Sequence, residues 1–139
     1  MIFFSNPFGY GPTGKAIALM GTLLKEWKNG QIIFAGSQKC IEPIPNDLIK
    51  RVHIEKVNER DGLSIEKALN KHPKALVVVV LNKAASITSK KLNRFFVFVD
   101  SLTYLWNEIP KEYLEADMYY YFNIFDAKEK AGRISNAKA

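Results

Sequence analysis

The amino-acid sequence predicts an α/β fold in three layers, with a mostly parallel sheet held between helices. Two observations carry this expectation. The runs "ALVVVVL" (75 to 81) and "RFFVFVD" (94 to 100) are unbroken β-branched and aromatic stretches, the composition of strands covered on both faces. Around them apolar residues return at helical spacing, so strands and helices alternate along the chain, and right-handed crossovers between parallel strands follow.

Each element can be justified in order. "IFFSN" (2 to 6) is short, apolar and closed by polar residues, as a buried strand is. In "PTGKAIALMGTLLKEWKNG" the residues Ile17, Met20, Leu23, Leu24 and Trp27 share one helical face, with Pro12 or Thr13 suited to open the helix and "NG" to end it. "QIIFAGS" (31 to 37) reads as a second strand, the stretch from Cys40 to Pro45 as a loop, "NDLIKR" as a helical turn and "VHIEKV" as a third strand. "GLSIEKALNKHP" is a helix with Ser64 as cap, an apolar stripe of Leu63, Ile65, Ala68 and Leu69, and Pro73 as stop. "AASITSKKLN" can supply the crossover between the two strongest strands; "PKEYLEAD" is a short helical patch and "MYYYFNIF" a last strand.

At 139 residues, 47% of them hydrophobic, the chain can close one core and is short for two domains. Residues 1–126 are expected to form that domain, and the polar stretch 127–139 a flexible tail. The net charge of +6 comes from basic residues scattered among acidic ones such as Glu26, Glu55 and Glu59, which argues against a nucleic-acid surface. No apolar run approaches the roughly 20 residues of a membrane-spanning helix, and the first residues carry no basic leader, so a cytoplasmic location is the expectation. A single cysteine, Cys40, provides neither a disulfide framework nor a metal cluster, and no cofactor is expected. His53 and His72 lack partners at metal-ligand spacing and read as structural.

Ligands of an open parallel sheet gather beyond the carboxyl ends of its strands. Three loops fall there: residues 6 to 15, the residues from Asn82 onward, and "DSLTYLWNEIP" after the second strong strand. The first contains Gly9, Gly11, Gly14 and Lys15 in the spacing GxxxxGK, and "FFVFVD" ending at Asp100 has the shape of a Walker-B strand, which together suggest a nucleotide-binding phosphate loop. Ala16 replaces the hydroxyl that would hold Mg²⁺, and Pro12 removes an amide from the cradle. Without the metal, the glycines and the helix amino terminus from Thr13 to Lys15 still offer amides to an anion or a polar sugar; equally, they can serve only to turn a strand into a helix. Asp100 and Ser101 at the end of a strand can orient or deprotonate a hydroxyl, or can cap a following helix.

"FFSNPFGYGPTGKAIALMGTLL" and "FVDSLTYLWNEIPKEYLEADMYYYFN" resemble two parts of the amino-terminal, acceptor-side domain of GT-B type glycosyltransferases, in a bacterial branch of that family. The resemblance implies a Rossmann-like domain that binds a small sugar acceptor, with Gly9, Gly11 and Gly14 shaping the cleft-facing loop and Asp100 and Ser101 on the same rim, Asp100 being the candidate base. It also implies a partner half that supplies the nucleotide-sugar, since the donor-binding half is missing here and no histidine stands in the first loop. Transfer of a glycosyl group would then need that second half. A non-catalytic interaction domain, such as a homodimer, is a further alternative beside the phosphate-binding reading.

Overall fold

A computed structural model describes residues 1–122, 127, 137 and 138. Its elements run in the order β1 (Ile2–Ser5), α1 (Gly11–Glu26), β2 (Ile33–Gly36), α2 (Gln38–Ile41), α3 (Asn46–Ile49), β3 (His53–Lys56), α4 (Gly62–Lys71), β4 (Val77–Val80), α5 (Lys83–Lys91), β5 (Phe96–Asp100), a 3₁₀ turn (Thr103–Leu105), α6 (Lys111–Leu114), β6 (Met118–Tyr121) and β7 (Ala137–Lys138). All neighbouring strands pair in parallel, in the order β3-β2-β1-β4-β5-β6-β7. The chain therefore starts in the middle of the sheet, builds to one edge, crosses back and builds to the other. The direction reverses between β1 and β4, and that reversal positions the site.

Alternation along the strands sends side chains to two cores. Phe3, Phe34, Val78 and Val80 pack with Ala16, Met20 and Leu24 of α1 and with Cys40, Ile41 and Leu48 of the α2–α3 region. Ile2, Phe4, Val77, Val79, Phe96 and Phe98 pack on the opposite face with Ile65, Ala68 and Leu69 of α4, with Ala85 of α5 and with Tyr113 of α6. Both strong β runs are buried strands, as their composition predicts. The expected three-layer α/β fold with a parallel sheet is the one observed.

Several local expectations are corrected. The buried face of α1 is Thr13, Ala16, Met20 and Leu24, because close packing on β1 favours the small Thr13 and Ala16; Trp27 caps the helix end and is 43% exposed. A helical turn, α2, occupies part of the stretch read as a loop, with a buried Cys40 anchoring it. Gly36 allows that approach, since a Cβ there would come within 2.9 Å of the Cys40 Cβ. The cap of α4 is Asp61, which accepts from the amides of Leu63 and Ser64, while the Ser64 hydroxyl accepts from the amide of Asn58. Leu63 is 67% exposed as a result. The strand expected over "MYYYFNIF" is β6, which ends at Tyr121, and positions 123 to 125 lie outside the described residues. Within the stretch read as a tail, Ala137 and Lys138 pair with Tyr119 and Tyr120.

Candidate functional site

The turn after β1 is shaped by Asn6 and Gly9. The Asn6 carboxamide accepts from the amide of Phe8 at 2.8 Å and donates to the Leu81 carbonyl at 2.9 Å, so one side chain fixes both its own turn and the end of β4. Gly9 has φ +66°, the left-handed region where a Cβ costs on the order of 1 kcal/mol. Leu81, buried and at φ +52°, carries that cost at the end of β4, opposite Asn6. Next to it, Asn82 donates to the carbonyls of Ser5 (3.0 Å) and Glu59 (2.9 Å) and caps α5 by accepting from Ala85 (2.9 Å). Two asparagines thus lace together the carboxyl ends of β1 and β4 and the loop that follows β3.

Between these loops lies a cleft of about 490 Å³, lined by Asn6, Phe8, Glu59, Arg60, Asn82 and Lys83 among others. It sits at the reversal point of the sheet, where open α/β sheets hold their ligands. Phe8, which lines it, is 82% exposed, and Tyr10, at the start of α1, is 75% exposed, a costly exposure for aromatic rings with nothing to cover. Helix α1 begins at Gly11 with Tyr10 as its N-cap residue and no side-chain cap, so the amides of Gly11 and Thr13, on either side of the amide-less Pro12, stay uncapped and the helix keeps its partial positive charge. A Cβ on Gly11 would meet only the Lys15 Nζ, at 3.8 Å. The bare backbone at Gly11 is therefore open to approach from outside.

The residues singled out in the sequence divide into three groups. Gly9, Gly11 and the half-buried Lys15 stand at the turn; Gly14 is on the exposed side of α1 with nothing within 4 Å of an added Cβ. Thr13 faces inward, 2% exposed, its hydroxyl 3.0 Å from that of Ser5, and joins α1 to β1 beneath the cleft. Beside this pair the Cys40 thiol is buried and its pKa is raised by desolvation. Asp100, fully buried at the end of β5, accepts from the Leu102 amide (2.7 Å), the Trp106 indole (2.8 Å) and the Tyr119 hydroxyl. Ser101 is 4% exposed, and its hydroxyl finds no partner among the described residues.

The phosphate-loop spacing GxxxxGK has no cradle here, because Pro12 and Thr13, which the cradle needs as loop, already lie in α1. The same glycines fit another count: Gly9-Tyr10-Gly11-Pro12-Thr13-Gly14 is GxGxxG, directly between a strand and a helix in a βαβ unit. The first glycine turns the chain and the second leaves the backbone bare. The third departs from that pattern, since Gly14 faces solvent and no strand packs against it. Asn6, Glu59 and Arg60 were not singled out as site residues; their proximity depends on the crossover from β3 to β4, which local pattern does not reveal.

No protein-family model matches the chain, and no curated protein matches it in sequence. Solved structures do. A short-chain dehydrogenase/reductase (ethylated) from Veillonella parvula DSM 2008 superposes with a TM-score of 0.55 at 18% identity, over 86% of this chain and 65% of that one. A wide-type short-chain dehydrogenase/reductase from the same organism, in complex with NADP, gives 0.51 at 16% identity with the same coverage. The dTDP-glucose 4,6-dehydratase of Bacillus anthracis str. Ames, in complex with NAD, gives 0.51 at 13% identity over 79% of this chain and 40% of that one. The chain thus spans 65% of the length of the two Veillonella proteins and less than half of the dehydratase. The fold implied by the glycosyltransferase resemblance holds, but these similar structures are dehydrogenases, reductases and a dehydratase, not glycosyltransferases. At such identities the likeness concerns architecture: the chain is a Rossmann-like α/β domain.

Proposed function

We propose that the chain is a dinucleotide-binding domain that holds the pyrophosphate of a nicotinamide dinucleotide at the amino terminus of α1. One observation carries the reading: a GxGxxG turn opens an uncapped helix of 16 residues at the reversal point of a parallel sheet. Amides and the positive end of the helix favour a diphosphate there, and Gly11 lets it approach. Lys15, Arg60 and the cleft-lining Lys83 add positive charge, although Lys83 also pairs with Glu112 at 3.1 Å. Exposed rings at Phe8 and Tyr10 gain a partner when a ligand covers them.

The end of β2 bears on which dinucleotide fits. An acidic residue about 20 positions after the glycines would accept from the ribose 2′-hydroxyl of NAD. Here β2 runs into Gly36, Ser37, Gln38 and Lys39, and Ser37 is engaged through its amide (2.6 Å) and hydroxyl (2.9 Å) by the carboxylate of Glu59. With an exposed Lys39 and no acid at that position, a 2′-phosphate is favoured over a bare hydroxyl. One similar structure was solved with NADP and another with NAD; their reactions are not carried over. NADP⁺ is expected to raise the unfolding temperature more than NAD⁺ at equal concentration, and Gly11→Val to abolish both shifts while leaving the unliganded protein folded. Equal shifts in the variant and the parent would defeat the proposal.

A second reading, a non-catalytic interaction domain, has its own observation in favour, which also bears on the separate reading of an acceptor-side glycosyltransferase half that needs a partner half. The sheet face over β4, β5 and β6 carries an apolar cleft of about 410 Å³ bordered by Leu19, Leu23, Val97, Val99, Tyr120 and Phe122. Leu19, Tyr120 and Phe122 are 36%, 36% and 47% exposed. A second copy or a partner half seated there would bury them. Sizing chromatography that shows a monomer at all concentrations would remove the homodimer form of this reading.

A further inference from the structure

We propose that His53, Glu55 and His72 bind one divalent transition-metal ion of the zinc type, at the end of the sheet opposite the cleft. His53 and Glu55 alternate on β3, so both project from one face of the edge strand. His72 terminates α4 beside it, and its carbonyl accepts from the Arg94 guanidinium at 3.0 Å, which fixes the backbone that carries the ring. The His72 Nε2 lies 3.2 Å and the His53 Nε2 3.6 Å from the same oxygen, Oε2 of Glu55. The three ligand atoms all lie within 4.8 Å of one another.

These separations suit an ion. Bonds of about 2.0–2.1 Å in tetrahedral geometry hold ligand atoms roughly 3.4 Å apart. Closing the gap asks most of the His53 side chain, which is 61% exposed and free to turn. Two imidazoles and one carboxylate select zinc, copper(II) or nickel over magnesium or calcium, and three protein ligands leave a position for water. The Lys71 ammonium, 2.8 and 3.0 Å from the two Glu55 oxygens, holds the place of the cation in its absence; it is 61% exposed and can swing away. Both imidazoles approach Glu55 through Nε2, and neither Nδ1 has a partner among the described residues. The outer contacts that raise affinity by roughly 10–100-fold are therefore missing, and binding is expected to be weaker by that factor than at a site that has them. A bound ion would join the edge strand to the end of α4.

Zinc titrated calorimetrically into the untagged full chain tests this. One equivalent is expected to bind, at least tenfold more weakly in His53→Ala and in His72→Ala, and more tightly in Lys71→Gln, where the competing ammonium is gone. Cobalt(II) is expected to give the visible absorption of a low-coordinate site in the parent and to lose it in both histidine variants. No zinc binding by the parent, or binding unchanged in His53→Ala, would overturn the proposal. His53 is exposed on an edge strand, so that variant decides the matter even if His72→Ala fails to fold.

Discussion

The start of α1 leaves backbone amides without a side-chain cap, whereas the segment after β5 directs an amide, an indole and a phenol onto one buried carboxylate. At Gly9 to Lys15 no side chain caps α1, and two aromatic rings stand exposed around bare amides. At Asp100 to Trp106 one buried carboxylate gathers an amide, an indole and a phenol. Both loops lie at the carboxyl edge of the sheet and both contain residues suited to chemistry. In the first the helix start keeps uncapped amides; in the second the Ser101 hydroxyl is buried without a partner among the described residues, but the carboxylate beside it is already occupied. Residue type and edge position are thus insufficient to make a site; the hydrogen-bond ledger around each group decides.

The largest expected effect breaks or confirms the structural side of this contrast. Asp100→Ala strands one buried and two part-buried donors and is expected to cost about 4 kcal/mol, read from the urea unfolding midpoint. An unchanged midpoint would mean that the carboxylate is free for other work. A smaller effect is expected from Tyr119→Phe, about 1.5 kcal/mol near neutral pH, because the carboxylate loses one donor of three. Burial first, and then the charge of Asp100, raise the Tyr119 phenol above its ordinary pKa of 10.0. The folded state holds this proton more tightly than the unfolded chain, so the contribution is complete below about pH 10 and is lost as pH rises beyond it. Unfolding midpoints on either side of about pH 10 should fall more steeply in the parent than in Tyr119→Phe. The smallest effect sharpens the other side: Gly14→Ala, with open space around its Cβ, should stabilise the helix by about 0.5–1 kcal/mol without loss of nucleotide binding. Destabilisation would show that Gly14 serves a close packing contact after all.

The layers of the fold were legible because both faces of β4 and β5 are buried, which forces unbroken runs such as "VVVV" and "FVFVD". The faces of the helices were legible only approximately. In α1 the stripe of large residues borders the core instead of centring on it, because Thr13 and Ala16 let the helix approach the sheet. The glycine turn was legible as a strand-to-helix turn, but the GxxxxGK count presupposed a loop where α1 has already begun. Asp100 could not be judged from sequence, since two of its donors, Trp106 and Tyr119, reach it from 6 and 19 residues away. The lacing by Asn6 and Asn82 spans 75 and 77 residues, and the pairing of His53 and Glu55 with His72 depends on how β3 meets α4. Such contacts follow from topology, and only the local half of each is written in a short stretch of sequence.

Calorimetric titration of NADP⁺ into the parent chain and into Gly11→Val tests the central claim most directly. One dinucleotide is expected to bind the parent, with Gly11→Val reducing affinity at least tenfold at an unchanged unfolding midpoint, since a Cβ at Gly11 meets nothing nearer than the Lys15 Nζ at 3.8 Å and the branched side chain blocks the amides. Undiminished binding by Gly11→Val, or no binding by the parent, would contradict the assignment of the β1–α1 turn as a pyrophosphate site.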